Sequence, residues 1–259
     1  QLVRVSHLRL EVVLALVYAA SFWLTLFAAW LLATRCFSAR AARCGAVSLL
    51  AVWMTLPIAG TALMLMDPYV TARSISTPCS LLALAGALGF FLPQGTERAR
   101  GLALALGSLA VASAVHPLMA GDAVGCLLLL GCISSRNPRI RRWGTVGLCA
   151  AAVALAAVVS KFAPTESAFY RQAGATRYYW FLSQWHWYEL VGLGAPLAIL
   201  AFIALSGKRE GGAAKIALAR MSVVAGATAV TIALLFARIN AANYMIARLQ
   251  PLRVFQLVY

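Results

Sequence analysis

The chain has 259 residues, of which 63% are hydrophobic and 11% are charged, and its mean hydropathy is +0.85. A water-soluble domain has no interior large enough to bury so many apolar side chains, so the composition excludes a soluble protein and predicts an integral membrane protein. The formal net charge is +15, but no dense basic tract with interleaved aromatic residues occurs, which argues against nucleic acid as a partner.

Long apolar runs predict membrane-spanning helices along the whole chain. We predict an all-α, polytopic transmembrane helical bundle that forms a single integral membrane domain over residues 1–259, with about eight spans. The third to fifth runs are short for a full crossing, which predicts helices that are tilted or partly buried among their neighbours. The predicted spans, in chain order, are 10–34, 46–66, 78–92, 101–115, 120–133, 144–160, 189–206 and 216–236.

The connectors between these spans are of two kinds, which alternate along the chain. Thirteen of the 22 lysines and arginines, with only two acidic residues, lie in RCFSARAARCG, QGTERAR, SSRNPRIRRWG and GKREGGAAKIALAR. The positive-inside rule predicts that these four connectors lie on the cytoplasmic side of the membrane. The connectors with more varied chemistry, which are MDPYVTARSISTP, HPLMAGD, 161–188 and 237–253, then lie on the outer face. We therefore expect a functional site at the outer boundary of the membrane.

The two ends of the sequence predict further spans beyond it. The first residue is not methionine, and the alternation of the connectors places QLVRVSHLR on the outer face. The last residues, RVFQLVY, stop inside an apolar run and predict the start of another helix. We expect at least one span before Gln1 and one after Tyr259.

The six cysteines are scattered along the chain without a CxxC pair or a Cys/His ligand spacing. This pattern predicts neither a disulfide framework nor a zinc site, and it is typical of small apolar residues that fill space between helices. We predict no metal ligands, and a divalent cation is a candidate cofactor for which the sequence provides no dedicated site.

The connector MDPYVTARSISTP is bracketed by two prolines, which discourage helix continuation. A structural interpretation is an ion pair between Asp67 and Arg73, with hydroxyl residues capping the third helix near Thr77. A functional interpretation uses Arg73 as a phosphate clamp and Tyr69 as a substrate contact, because a guanidinium group binds phosphate bidentately. Asp67 is then a base or a metal-coordinating carboxylate.

The connector HPLMAGD contains His116, with Pro117 breaking the helix after it. A histidine at the end of a span is commonly a hydrogen-bonded structural residue. Polar residues at membrane depth are costly and tend to be functional, so His116 is also a candidate acid/base or phosphate partner.

The outer-face segment 162–188 is rich in tyrosine and tryptophan and also contains Arg171, Arg177 and His186. An aromatic belt at the membrane interface explains the rings alone. An amphipathic helix on the membrane surface, shaping a cavity for a lipid head group or a sugar, also explains the charged residues. Aromatic faces stack on sugars and cations, and arginines bind phosphates.

The stretch ARINAANYMIARLQPLRVFQLVY supplies further polar residues after the eighth span. Arg248, Gln250 and Arg253 are candidate substrate contacts, and Pro251 interrupts the run between them. Snorkelling of the arginines to the membrane interface is the structural alternative.

The motifs DPYVTARSISTP, HPLMA and LQPLR resemble those of a bacterial family of polytopic membrane proteins. The overall layout resembles the GT-C class of glycosyltransferases, which use polyprenyl-phosphate-linked sugars. This resemblance implies an active site on the outer face above a helical bundle and an isoprenoid-phosphate lipid as partner. It implies acid/base roles for Asp67 or His116 and phosphate binding by Arg73, Arg171, Arg177 and Arg253. The large first outer loop, which carries the main catalytic acid in that class, is absent from this sequence, so Asp67 would have to replace it.

Two other classes of function remain open. A transporter or flippase for an anionic lipid or solute should carry ionisable residues deep within its spans, and the spans here are poor in charge. A non-catalytic membrane subunit of a larger complex should pack closely against other subunits, for which AGALG at residues 85–89 is suited.

Overall fold

The computed structural model describes residues 7–93, 96–206 and 212–259. All regular secondary structure in these residues is helical, which confirms the predicted all-α fold. Short 3₁₀ turns and a π-helical turn at Ile140–Gly144 connect some of the helices. The α-helices are α1 (Leu10–Cys36), α2 (Arg40–Trp53), α3 (Ala72–Phe91), α4 (Arg98–Val115), α5 (Pro117–Ile133), α6 (Thr145–Phe162), α7 (Ala168–Ala175), α8 (Trp187–Ser206), α9 (Ala213–Phe236), α10 (Met245–Leu249) and α11 (Phe255–Val258).

Six helices of the described residues are long and apolar enough to cross a membrane. They are α1, α3, α4, α6 together with the π-helical turn before it, α8 and α9. The apolar helix α5 is shorter, with 17 residues. These helices form the pattern of a polytopic membrane protein, as the composition predicts.

Residues 46–66, which the apolar pattern predicts as one span, are helical only up to Trp53. Pro57 has no backbone N–H to continue a helix, and Ala59 and Gly60 have φ angles of 49° and 79°. The left-handed conformation of these two residues is incompatible with a right-handed helix. The apolar residues after Trp53 therefore form an irregular segment with one 3₁₀ turn, Ile58–Gly60.

The third span begins earlier than the prolines predict, because α3 starts at Ala72 and Pro78 lies inside it. Thr71 is the N-cap: its side chain accepts from the backbone N–H of Arg73, and Ser74 accepts from the N–H of Thr71. The predicted cap near Thr77 is thus wrong, since Thr71 ends the connector six residues earlier.

The chain divides into two compact units. The first unit contains Gln1–Leu56 and Met64–Ala123, and the second contains Pro57–Leu63 and Val124–Tyr259. In the first unit α3 is the central helix, and it is largely buried against α1 and α4.

Glycines let α3 and α4 approach closely in the first unit. A Cβ atom added at Gly86 would lie 2.6 Å from the backbone nitrogen of Ala105, and one at Gly101 would lie 2.7 Å from the carbonyl oxygen of Gly86. At the same end of this pair, Arg35 of α1 forms an ion pair with Glu97 just before α4. Two of the basic connectors therefore meet at one end of the first unit.

In the second unit α9 packs against α6, α8 and the C-terminal turns. The short segment 57–63 lies against α8, where a Cβ atom added at Gly192 would be 2.6 Å from the Cβ of Ala59. The Tyr259 hydroxyl donates to the Gly192 carbonyl at 3.0 Å. The last turns of the chain are thus fixed onto α8.

Candidate functional site

Asp67 and Arg73 form an ion pair in the connector before α3. The Nη2 atom of Arg73 lies 2.9 Å from Oδ1 and 2.8 Å from Oδ2 of Asp67. The Thr71 hydroxyl donates to Oδ2 at 2.7 Å, and the Asp67 residue is only 6% exposed. Both carboxylate oxygens are therefore occupied by groups of the connector itself, as the structural interpretation of this motif predicts.

Tyr69 lies in the same connector with its side chain 62% exposed. An exposed tyrosine between a buried carboxylate and a helix N-terminus suits either the membrane interface or contact with a bound molecule. The structure places Asp67, Tyr69 and Arg73 on one short turn that the cap at Thr71 holds in place.

His116 lies between α4 and α5, where the helix breaks as Pro117 predicts. The Nδ1 atom of His116 accepts from the backbone N–H of Met119 at 3.3 Å, so the imidazole caps the N-terminus of α5. One turn to either side, Ala112 and Ala120 pack against Cys79 of α3. His116 and Arg73 therefore lie at the same end of the first unit.

The segment 162–188 folds as one short helix and two 3₁₀ turns, so only part of it forms the predicted surface helix. The helix α7 has eight residues, and Ser167 caps it by accepting from the N–H of Tyr170. Trp180, Phe181 and Trp185 are buried in the second unit. Exposed side chains include those of Arg171, Arg177, Tyr178, His186 and Tyr188.

The exposed polar residues of this segment lie against aromatic rings. The guanidinium group of Arg177 lies 4.8 Å from the Trp180 ring centre, and the His186 ring stacks on Tyr188 at 5.3 Å. Cation–π contacts of this kind hold a guanidinium group in place and leave its N–H groups free to bind an anion.

Glu166 connects this segment to the residues after α9, and the sequence analysis missed it. Its Oε2 atom accepts from the backbone N–H of Tyr244 at 3.1 Å, and its Oε1 atom lies 3.0 Å from the Nη2 atom of Arg248. The N–H of Glu166 donates to the carbonyl of Ala242 at 3.1 Å. The sequence shows Glu166 as the only acidic residue in segment 162–188, beside two arginines. That pattern does not identify Tyr244 and Arg248 as its partners.

Tyr244 completes this connection between the two outer segments. Its hydroxyl donates to the Ile239 carbonyl at 2.6 Å, and its ring lies 5.0 Å from that of Phe181. A Cβ atom added at Gly174 would be 2.7 Å from the Tyr244 ring, so the glycine is required for the close approach of α7. Segments 162–188 and 237–253 therefore form one folded surface, here called the aromatic–arginine surface.

Arg248, Gln250 and Arg253 lie on the C-terminal part of the aromatic–arginine surface. Arg248 pairs with Glu166 and lies 5.5 Å from the ring centre of Tyr170. Gln250 has a left-handed backbone with a φ angle of 49°, and its Oε1 atom accepts from the Nε atom of Arg253. Pro251 begins the 3₁₀ turn after Gln250, as expected of a proline that interrupts the run.

Three buried polar atoms of the segment 178–185 have no hydrogen-bond partner among the described residues. They are Nε1 of Trp180, Nε1 of Trp185 and Oε1 of Gln184. The two tryptophans are 6% and 7% exposed, so bulk water does not cover them. A buried donor without an acceptor costs about 1–3 kcal/mol.

The predicted site residues fall into two groups, each within one unit. The first unit holds Asp67, Tyr69, Arg73 and His116, and the second holds Arg171, Arg177, His186, Arg248, Gln250 and Arg253. Among the residues that the structure describes, no group of three or more His, Cys, Asp or Glu side chains has metal-binding geometry. Comparisons with models of protein families, curated proteins and solved structures find no match for the chain.

Proposed function

We propose that the protein acts on a lipid-linked sugar, a polyprenyl phosphate carrying a hexose, at the outer face of a bacterial inner membrane. The observation that carries this proposal is the exposed pair Arg171 and Arg177, in a segment where the guanidinium group of Arg177 lies 4.8 Å from the Trp180 ring centre. Phosphate oxygens would bind the guanidinium groups, and the exposed rings of Tyr178 and Tyr188 would stack on the sugar.

The arginines of the aromatic–arginine surface differ in their freedom to bind a phosphate. Arg177 rests on a tryptophan ring, and neither it nor Arg171 has an ion-pair partner among the described residues. Arg248 already neutralises Glu166, and Arg253 already bonds Gln250. We therefore propose that Arg171 and Arg177 bind the phosphate, with Arg248, Gln250 and Arg253 shaping the surface around it.

The reaction proposed is transfer of the sugar from the lipid phosphate to an acceptor hydroxyl. The hydroxyl oxygen bonds to the anomeric carbon, the bond from that carbon to the phosphate oxygen breaks, and the phosphate keeps the electron pair. A base takes the hydroxyl proton.

A transfer assay tests this function directly. The protein is reconstituted in phosphatidylcholine liposomes with a radiolabelled polyprenyl-phosphate hexose and short sugar acceptors, and the label in the aqueous phase is followed. We expect Arg177→Gln to lower turnover about 10-fold or more, because a charge-assisted hydrogen bond to the phosphate is lost.

Full turnover in Arg177→Gln would contradict phosphate binding by the aromatic–arginine surface. No transfer by the unaltered protein from any hexose-bearing polyprenyl phosphate would contradict the transferase function.

A transporter for an anionic lipid is the second candidate, favoured by the interruption of the predicted span after Trp53. Broken helices in membrane proteins commonly line substrate pathways. The same liposomes distinguish this candidate, because a flippase would move a fluorescent polyprenyl phosphate between leaflets without releasing its sugar.

A further inference from the structure

A cleft of about 380 Å³ lies in the second unit, at the helix ends beside two basic connectors. It is bounded by the end of α5, the π-helical turn before α6, the end of α8 and the beginning of α9. Most of its walls are apolar, with Ile133, Ala204 and Leu205 among them, and two arginines, Arg141 and Arg220, also line it. The aromatic–arginine surface lies at one end of α6, α8 and α9, and this cleft lies at the opposite end of the same helices.

The two arginines of the cleft are available to bind an anion. Ion pairs in the described residues are Arg35–Glu97, Arg73–Asp67 and Arg248–Glu166, so neither Arg141 nor Arg220 is neutralised there. Both side chains are exposed. Two guanidinium groups on one cleft favour a phosphate group, which they can bind with paired hydrogen bonds.

The π-helical turn gives Arg141 its place in the cleft. Such turns insert an extra residue into a helix and are frequent at functional sites. Here the turn runs from Ile140 to Gly144, and the Thr145 hydroxyl donates to the Arg141 carbonyl at 2.7 Å. The next residue, Arg142, lies 5.2 Å from the Trp143 ring centre, as expected of an anchor at a membrane interface.

We propose that this cleft binds an anionic diacyl phospholipid from the leaflet that faces the basic connectors. The phosphate contacts Arg141 and Arg220, and an acyl chain lies along the apolar wall formed by Ile133 and Leu205. Basic pockets between membrane helices are suited to lipids of this class, and a free phosphate ion would leave the apolar wall without a partner. The proposal does not depend on the proposed function, since none of the cleft residues belongs to the aromatic–arginine surface.

Native mass spectrometry of the full chain in mild detergent tests the proposal. Phosphatidylglycerol and phosphatidylcholine with the same acyl chains are titrated separately, and the bound lipid is counted. We expect tighter binding of phosphatidylglycerol, and about fivefold weaker binding of it in Arg141→Gln and in Arg220→Gln, because each basic residue contributes roughly that factor near a charged lipid. The matched control is Arg136→Gln, which removes one charge from the connector outside the cleft and should bind within about twofold of the unaltered protein.

A second variant changes the shape of the cleft without changing its charge. Ala201→Trp fills the space beside α8, so we expect it to weaken phosphatidylglycerol binding while both arginines remain. Equal binding of the two lipids by the unaltered protein would overturn the proposal. Equal losses in Arg141→Gln, Arg220→Gln and Arg136→Gln would overturn it as well, because they would show general attraction of charge and no site.

Discussion

Asp67 is buried and bound by Arg73 and Thr71, and these contacts limit the chemistry it can perform. The sequence predicts both of its possible roles, because an acid and an arginine in a proline-bounded connector suit an ion pair and a phosphate site equally. The contact with Thr71, which occupies a second position on the carboxylate, could not be predicted. Helix α3 begins directly after Thr71. Neither Pro68 nor Pro78, which bracket the connector in the sequence, marks the start of the helix.

Loss of Arg73 should destabilise the first unit, because it leaves a buried carboxylate without its counter-charge. We expect Arg73→Ala to lower the free energy of unfolding by about 2–4 kcal/mol, and Asp67→Asn in the same chain to restore most of that loss. Thermal unfolding of the single and double variants in detergent measures the change. An unchanged midpoint in Arg73→Ala would contradict a structural role for the ion pair, and any activity measured on that variant has to be read together with its stability.

The contacts of Glu166 could not be predicted from the spacing of residues within one segment. Its hydrogen-bond partner Tyr244 is 78 residues further along the chain, and no periodicity within one helix or connector reports a contact over that distance. The position of Arg248 in the sequence identified it as a candidate substrate contact, but its ion pair with Glu166 could not be predicted. The same applies to the unsatisfied indole groups, which become visible only when burial is known.

Glu166→Ala should loosen the aromatic–arginine surface, since it removes the acceptor for the Tyr244 N–H and the partner of Arg248. We expect a loss of about 2–4 kcal/mol, and a smaller loss in Glu166→Gln, whose amide oxygen still accepts from the Tyr244 N–H. Protease cleavage within residues 162–188, followed over time in detergent, measures the loosening. Glu11→Ala is the control because Glu11 is exposed at the start of α1, and equal cleavage in all three variants would contradict the anchoring role.

At the scale of the helices, apolar runs predict which regions are helical better than where the helices end. Residues 10–34 and 101–115 fall inside α1 and α4, whereas 46–66 contains the break after Trp53. The break results from a proline and two left-handed residues in succession, and one of these, Ala59, carries no sequence signal for that conformation. The π-helical turn before α6 was equally hidden, because the apolar and basic pattern continues through it.

The close approach of α3 and α4 makes Gly86 sensitive to any side chain. We expect Gly86→Ala to destabilise the first unit by about 2–3 kcal/mol or to prevent accumulation of the protein, because the added methyl group would meet the backbone of α4 at 2.6 Å. Gly107→Ala is the matched control, since a Cβ atom there has no neighbour within 4 Å. Comparison of the two unfolding midpoints measures the effect, and equal midpoints would be inconsistent with the packing of α3 on α4.

At the scale of the whole chain, the alternation of basic and aromatic connectors predicts opposite sides of the membrane. The structure is consistent with this within each unit, where basic connectors meet at one end and the polar or aromatic segments lie at the other. The side of the membrane that each end faces is a prediction from the distribution of charge.

Labelling from one side of the membrane tests this orientation in the second unit. With the native cysteines replaced, we expect a membrane-impermeant maleimide to label Ser183→Cys but not Asn137→Cys in right-side-out vesicles. Both positions are exposed, so they differ only in their side of the membrane. Permeabilisation should expose Asn137→Cys, and the opposite labelling pattern would invert the topology.

Binding of a polyprenyl phosphate to the aromatic–arginine surface is the central claim, and its dissociation constant is the measurement that tests it most directly. Titration of the purified protein with an isoprenyl phosphate, followed by native mass spectrometry, should give binding that weakens about 10-fold or more in Arg177→Gln, because a charge-assisted hydrogen bond is lost. Arg136→Gln removes an exposed arginine at the other end of the second unit, outside the aromatic–arginine surface, and should change the constant by less than about threefold. Equal dissociation constants for Arg177→Gln and Arg136→Gln, or no binding by the unaltered protein, would contradict polyprenyl-phosphate binding by this surface.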